Sequence, residues 1–145
     1  MSTLTQEQIK EIAEQLDLGF KCYWNINIGE LLFIPDELKY PDIEIETWSD
    51  QIEKLNNNFN EYKEIDSLES HDSFEIMVDF VETLSDSNEL KDNLIDALNS
   101  NKPFRGFKFL IDNSGEYRQK WFDFKNMKLQ EWVVKRFSEI ISLKK

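Results

Sequence analysis

Apolar positions along the chain repeat first with a helical period and then with period 2. Ile9, Ile12, Ala13 and Leu16 form one stripe at 3.6-residue spacing, which predicts an amphipathic helix. Thr5 and Gln8 have the spacing of a capping box, and Leu4 and Ile9 that of a hydrophobic staple. Gly19 fits the stop, where a left-handed residue is needed. Phe20, Cys22, Trp24 and Ile26 then alternate with Lys21, Tyr23 and Asn25, the pattern of a half-buried strand. Gly29 supplies a turn, and Leu31 to Ile34 reads as the returning strand, ended by Pro35. Pro35 to Pro41 reads as a loop and Ile43 to Ile45 as a short edge strand.

The helical period returns at Trp48, with Ile52, Leu55, Phe59 and Tyr62 on one face. The Asn56-Asn57-Asn58 run is poor helix material, so this element is expected to end early. Glu64 to Leu68 reads as a further strand. Asp72 and Glu75 are a capping pair for a central helix carrying Phe74, Ile76, Met77, Val78, Phe80, Val81 and Leu84. Asp86 and Glu89 start another helix, with Leu90, Leu94, Ile95 and Leu98 toward the core. Pro103 suits a first helical position, followed by Phe104, Phe107 and Ile111. Asn113-Ser114-Gly115 is a stop, and the remainder reads as helix with a kink near Asn126. The fold class is α+β. An N-terminal helix precedes a small antiparallel sheet built on a hairpin at about 20–26 and 30–34, plus about 64–68, and the C-terminal half is helical. No linker or repeat interrupts the chain, so 1–145 reads as one globular domain.

Composition sharpens this picture. A chain of 145 residues with 40% hydrophobic and 13% aromatic residues has enough large side chains for a core, which excludes disorder. No stretch approaches the ~18 consecutive apolar residues of a membrane helix, and the polar N-terminus has no signal-peptide character. A lone Cys22 cannot form an internal disulfide. These features lead us to expect a cytoplasmic location and no membrane partner.

The net charge of −12 is unevenly placed. Residues 1–101 hold 24 acidic and 6 basic side chains, whereas 102–145 hold 5 acidic and 11 basic ones. Lys102, Arg105, Lys108, Arg118, Lys120, Lys125 and Lys128 run among Phe104, Phe107, Phe109, Tyr117, Trp121, Phe122 and Phe124. Cations beside π-faces can hold phosphates and stack bases. The candidate binding residues are Arg105, Lys108, Arg118, Lys120, Trp121 and Phe122. The stronger explanation is structural, with the aromatics in the core and the cations beside them in water or paired with the acidic half.

Other constellations carry little chemistry. His71, in Ser70-His71-Asp72-Ser73, is the one candidate general base, and the flanking serines read as helix caps. Glu75, Asp79 and Glu82 share one helix face and could hold a divalent cation, but an apolar helix needs such a stripe to face water. The loop acids Asp36, Glu37, Asp42, Glu44 and Glu46 lack the order of an EF-hand. Cys22 lies on an apolar strand face without an activating cation. No phosphate loop, nucleophile elbow or dinucleotide fingerprint occurs, so no metal and no cofactor is expected.

Four segments carry a family resemblance: Gly29-Glu30-Leu31-Leu32-Phe33-Ile34-Pro35, Ser70-His71-Asp72-Ser73-Phe74-Glu75-Ile76-Met77 with Asp79-Phe80-Val81, Pro103-Phe104-Arg105-Gly106-Phe107-Lys108, and Tyr117-Arg118-Gln119-Lys120-Trp121-Phe122. The pattern resembles the uncharacterised bacterial protein family numbered 0158 in the UPF series, over roughly residues 5 to 140. The resemblance implies a small intracellular bacterial protein and brings no catalytic residue with it. The leading expectation is a non-enzymatic module that binds another protein. The alternatives are a nucleic-acid binder using 102–128, and a small enzyme using His71 and nearby carboxylates.

Overall fold

In the computed structural model, which describes residues 4–42 and 44–144, the chain forms two compact units. One comprises the residues up to Ser67 together with those from Leu129 onward, and the other comprises Leu68–Lys128.

The first unit opens with α1 (Gln6–Asp17), whose Thr5 side chain accepts from the Gln8 N–H at 3.1 Å while Gln8 Oε1 accepts from the Thr5 N–H at 2.9 Å. Ile12, Ala13 and Leu16 are buried, and Gly19 ends the helix turn at φ 92°. The expected hairpin follows as β1 (Phe20–Asn25) and β2 (Leu31–Pro35). Asn25 is buried, and its Oδ1 accepts from the N–H groups of Asn27 and Ile28, which holds the turn before Gly29 (φ 76°). A 3₁₀ turn (Ile45–Trp48) leads into α2 (Ser49–Asn57), and a second (Phe59–Glu61) leads into β3 (Tyr62–Ile65). The sheet order is β2-β1-β3, antiparallel throughout.

The register sorts the sheet residues by face. Cys22, Trp24 and Ile65 are buried on one side, where Trp24 meets Phe137 edge-on at 4.6 Å. Tyr23, Leu32, Ile34 and Tyr62 occupy the other side and pack with Leu55 of α2.

Three local expectations need correction here. The strand expected at 64–68 lies at Tyr62–Ile65; the ladder stops there because the Asp66 carbonyl accepts from Trp132 Nε1 at 2.9 Å instead. Phe59 does not continue the α2 stripe, because the helix ends at Asn57 and Phe59 stands exposed in the following turn. Of the expected edge strand at 43–45, Ile43 lies outside the described residues, and Ile45 opens a 3₁₀ turn.

The second unit is helical, with α3 (Ser70–Glu82), α4 (Glu89–Leu98), α5 (Pro103–Asp112) and the start of α6 (Glu116–Lys144). Its core is Ile76, Met77, Phe80, Val81, Leu94, Phe107, Ile111 and Trp121. Phe80, Phe107 and Trp121 meet edge to face, with centroids 4.8–6.5 Å apart. A Cβ on Gly106 would lie 3.2 Å from the Ala97 Cβ, so this glycine lets α5 close on α4. The caps differ from expectation in two places. Glu69 takes the N-cap of α3, its N–H donating to Asp72 Oδ2 at 3.2 Å, so Asp72 acts as the third helical residue rather than the cap. Asn88 caps α4, its Oδ1 accepting from the Leu90 N–H, while Asp86 pairs with Lys91 at 2.7 Å. The helix α6 is continuous through Asn126.

Candidate functional site

The basic-aromatic segment divides between α5 and the start of α6, and the two helices treat their side chains differently. On α5, Phe107 and Ile111 define the core side, with Leu110 packed beside them. At 3.6 residues per turn, Phe104, Lys108, Asp112, Arg105 and Phe109 then follow one another around an arc of about 140°. All five are exposed. Phe109 is 68% and Phe104 44% accessible, unusual for phenylalanine on a helix. The face therefore presents a basic strip between two aromatic edges. Phe104 also meets Phe74 of α3 edge-on at 6.5 Å, which fixes that edge of the face.

Asp112 partly neutralises one end of the strip. Lys108 Nζ lies 4.0 Å and Arg118 Nε 3.4 Å from its carboxylate. Arg105 has no ion pair, hydrogen bond or ring contact among the described residues. Its guanidinium, one helical turn from Phe109, offers a fork of donors next to an uncovered ring.

On α6 the same residue types are used up locally. Trp121 is 9% accessible and sits in the core against Phe80 and Phe107, and Phe122 and Phe124 pack against the same core. Arg118 Cζ lies 4.8 Å above Phe122, and Lys125 Nζ lies 5.3 Å from the same ring. Lys120 Nζ stands 4.9 Å over Tyr117 and Lys128 Nζ 5.5 Å over Phe124. Those contacts are cation–π pairs at helical spacing, worth ~0.5–1 kcal/mol each when exposed. A ring covered on its open face by a lysine cannot at the same time stack a base. Of the six residues singled out in sequence, the structure thus brings Arg105 and Lys108 onto an open face. It gives Arg118 and Lys120 to rings of their own helix and turns Trp121 inward, with Phe122 half-buried.

Phe109 is not among the candidate binding residues read from the sequence, yet it is the most exposed ring on this face. The available signal was phase: Phe109 follows Phe107 by two residues, which on a helix places it about 160° from the core side.

His71 is exposed at the start of α3, with Nε2 3.2 Å from Asp72 and Nδ1 3.6 Å from Glu69. Glu69, His71 and Asp72 bring ligand atoms within 4.8 Å of one another, a grouping absent from the sequence expectation. Asp72 Oδ2 is engaged with the Glu69 N–H, so this cluster already closes the helix start. Glu75, Asp79 and Glu82 are exposed along α3. Cys22 is fully buried, and that burial pushes its thiol well above the usual range, with Glu11 and Glu64 adding to the effect. A thiol so held is a poor nucleophile. Tyr23, opposite Glu64 in the ladder, is pushed up to about 12 by burial and by the Glu64 carboxylate. Glu64 is itself raised above the usual carboxylate range by partial desolvation of its carboxylate and by a hydrogen bond with Asp66.

Residues 2–140 match the profile of a family described as "Uncharacterised protein family (UPF0158)". A Pseudomonas aeruginosa relative, "UPF0158 protein PA5073", is 31% identical over 127 residues, covering 87% of this chain and 77% of the relative. No solved structure matches the chain. With the family profile spanning nearly the whole sequence and a relative matched over most of its own length, the chain belongs to the uncharacterised protein family UPF0158.

Proposed function

We propose that this protein is a non-enzymatic interaction module that engages an acidic protein surface through the exposed face of α5. The observation that carries this reading is Phe109, 68% accessible, beside an Arg105 without an ion pair. Covering a phenylalanine of this kind contributes ~1.5–3 kcal/mol. Arginine is one of the residue types enriched among interface hot spots, and phenylalanine is enriched at interfaces over the rest of the surface. The partner's matching surface carries carboxylates for Arg105 and Lys108 and an apolar side chain for Phe109.

A nucleic-acid reading of 102–128 is less well supported. The α6 rings are covered by their own cations, and Trp121 is buried. The reading uses no catalytic group, and His71 serves the start of α3 in it. Among the described residues no helix is long and apolar enough to cross a membrane. We also propose a cytoplasmic location, which the single, unpaired Cys22 supports.

The test is capture of partners by the wild type and by a variant with Arg105→Glu, Lys108→Glu and Phe109→Ala, both checked for helix content by circular dichroism. The reading expects the specific partners to be lost from the variant. An unchanged partner set would falsify it. Titration with single-stranded DNA and RNA at low salt is expected to be flat; tight, steeply salt-dependent binding would establish the alternative.

A further inference from the structure

The second unit carries its own complement to the α5 face. Residues 69–101 hold nine acidic side chains and one basic, and 102–128 hold seven basic and three acidic. If this split served only to pair the two segments internally, the α4 acids would be engaged. They are not. Glu89, Asp92 and Asp96 are all exposed on α4, and none has an ion pair or hydrogen bond through its carboxylate among the described residues. At 3.6 residues per turn, Ile95, Asp92, Asp96 and Glu89 follow one another around the outer side of α4. Ile95 is 39% accessible, so this acidic strip also has an apolar edge. Lys91, the basic residue of α4, is turned away from the strip. Its Nζ donates to the Leu84 carbonyl at 3.1 Å and pairs with Asp86 at 2.7 Å.

The two faces correspond in kind. One has Arg105 and Lys108 with Phe109 at its edge, and the other has Asp92 and Asp96 with Ile95 at its edge. Each is a helix surface of similar length, since α4 and α5 both have 10 residues. They lie on neighbouring helices pointing outward, so one molecule cannot bring them together. A second molecule can.

Building on the reading of α5 as an interaction face, we propose that its occupant is the acidic α4 face of a second copy of this chain. The contact is heterologous, using different patches on the two molecules, so it leaves a free α4 on one partner and a free α5 on the other. Assembly therefore continues beyond the dimer unless the geometry closes a ring. One helix face against another is at the small end of interface sizes, so the association is weak and concentration-dependent. Its charged component is exposed at the rim and is screened by salt.

Sedimentation equilibrium on the full chain tests this directly. The wild type at low salt is expected to show a weight-average mass that rises with concentration and falls back to the monomer as salt is added. Arg105→Glu with Lys108→Glu, and separately Asp92→Lys with Asp96→Lys, are each expected to weaken association at least about tenfold. An equal mixture of the two charge-reversed variants is expected to regain it, because each presents the complement of the other. That recovery also shows that both variants are folded. A wild type that stays monomeric at every concentration overturns self-association. It leaves the acidic-partner reading standing, since that reading is judged by the α5-dependent capture of other proteins. Association that survives either double variant, or that the mixture does not restore, overturns the pairing of these two faces.

Discussion

Helix α5 and the first half of α6 have nearly the same ingredients, yet only one of them offers a surface. Each interleaves lysines and arginines with phenylalanines, and in α6 with a tryptophan and a tyrosine. In α6 Trp121, Phe122 and Phe124 pack against the core, and Arg118, Lys120, Lys125 and Lys128 each fold over a ring three or four residues away on the same helix. In α5 the core positions are Phe107 and Ile111, and Phe109 falls out of phase with them. A residue type therefore says little about function until its angle on the helix is known. A cation within one turn of a core-packed aromatic covers that ring, on either side of it in sequence, whereas Arg105, one turn from the outward Phe109, covers none.

The largest expected contrast is in stability. Trp121→Ala removes a ring packed against Phe80 and Phe107 and is expected to cost ~3–5 kcal/mol, while Phe109→Ala changes stability by less than about 0.5 kcal/mol. Urea denaturation of the two variants measures both, and similar losses would break the comparison. Next in size is Gly106→Leu, in which the new side chain meets Ala97 at once. Overpacking there costs ~1–3 kcal/mol and displaces α5 from α4, so it lowers both stability and binding. Smaller again is Arg118→Ala, which loses the Phe122 ring contact and the Asp112 pair, about 0.5–1 kcal/mol, against about zero for Arg105→Ala.

The sheet of the first unit supplies a separate control. Tyr23 is pushed up from 10.0 to about 12, so between those values the unfolded chain loses its proton while the folded chain keeps it. Stability attributable to this group therefore falls as pH rises from about 10 to 12. Tyr23→Phe is expected to make that part of the profile shallower, with the raised Cys22 and Tyr62 supplying the remaining slope, and the α5 and α6 variants leave it unchanged.

The elements that the sequence revealed most clearly are those with local chemistry. The Thr5–Gln8 box, the stops at Gly19 and Gly115, and the Pro103 start all depend on residues within a few positions of one another. The position of β3 was less legible, because its end is set by Trp132, a residue 66 positions away. Glu69 at the α3 cap was hidden by its side chain, since glutamate is not among the favoured N-cap residues. For the candidate site, composition singles out 102–128, and phase on each helix is what separates the exposed face of α5 from the start of α6. Arg105 and Lys108 were readable as surface, whereas the inward turn of Trp121 and the exposure of Phe109 depend on how α3, α5 and α6 share one core.

The central claim is that association runs through α5 and not through the similar-looking start of α6. Sedimentation equilibrium of Arg105→Glu/Lys108→Glu beside Arg118→Glu/Lys120→Glu, at equal concentration and low salt, is its most direct measurement. Both variants change the net charge by the same amount, so general repulsion is matched. The account predicts that the first sediments as a monomer while the second keeps the mass of the wild type. A monomeric second variant beside an associating first one would contradict it.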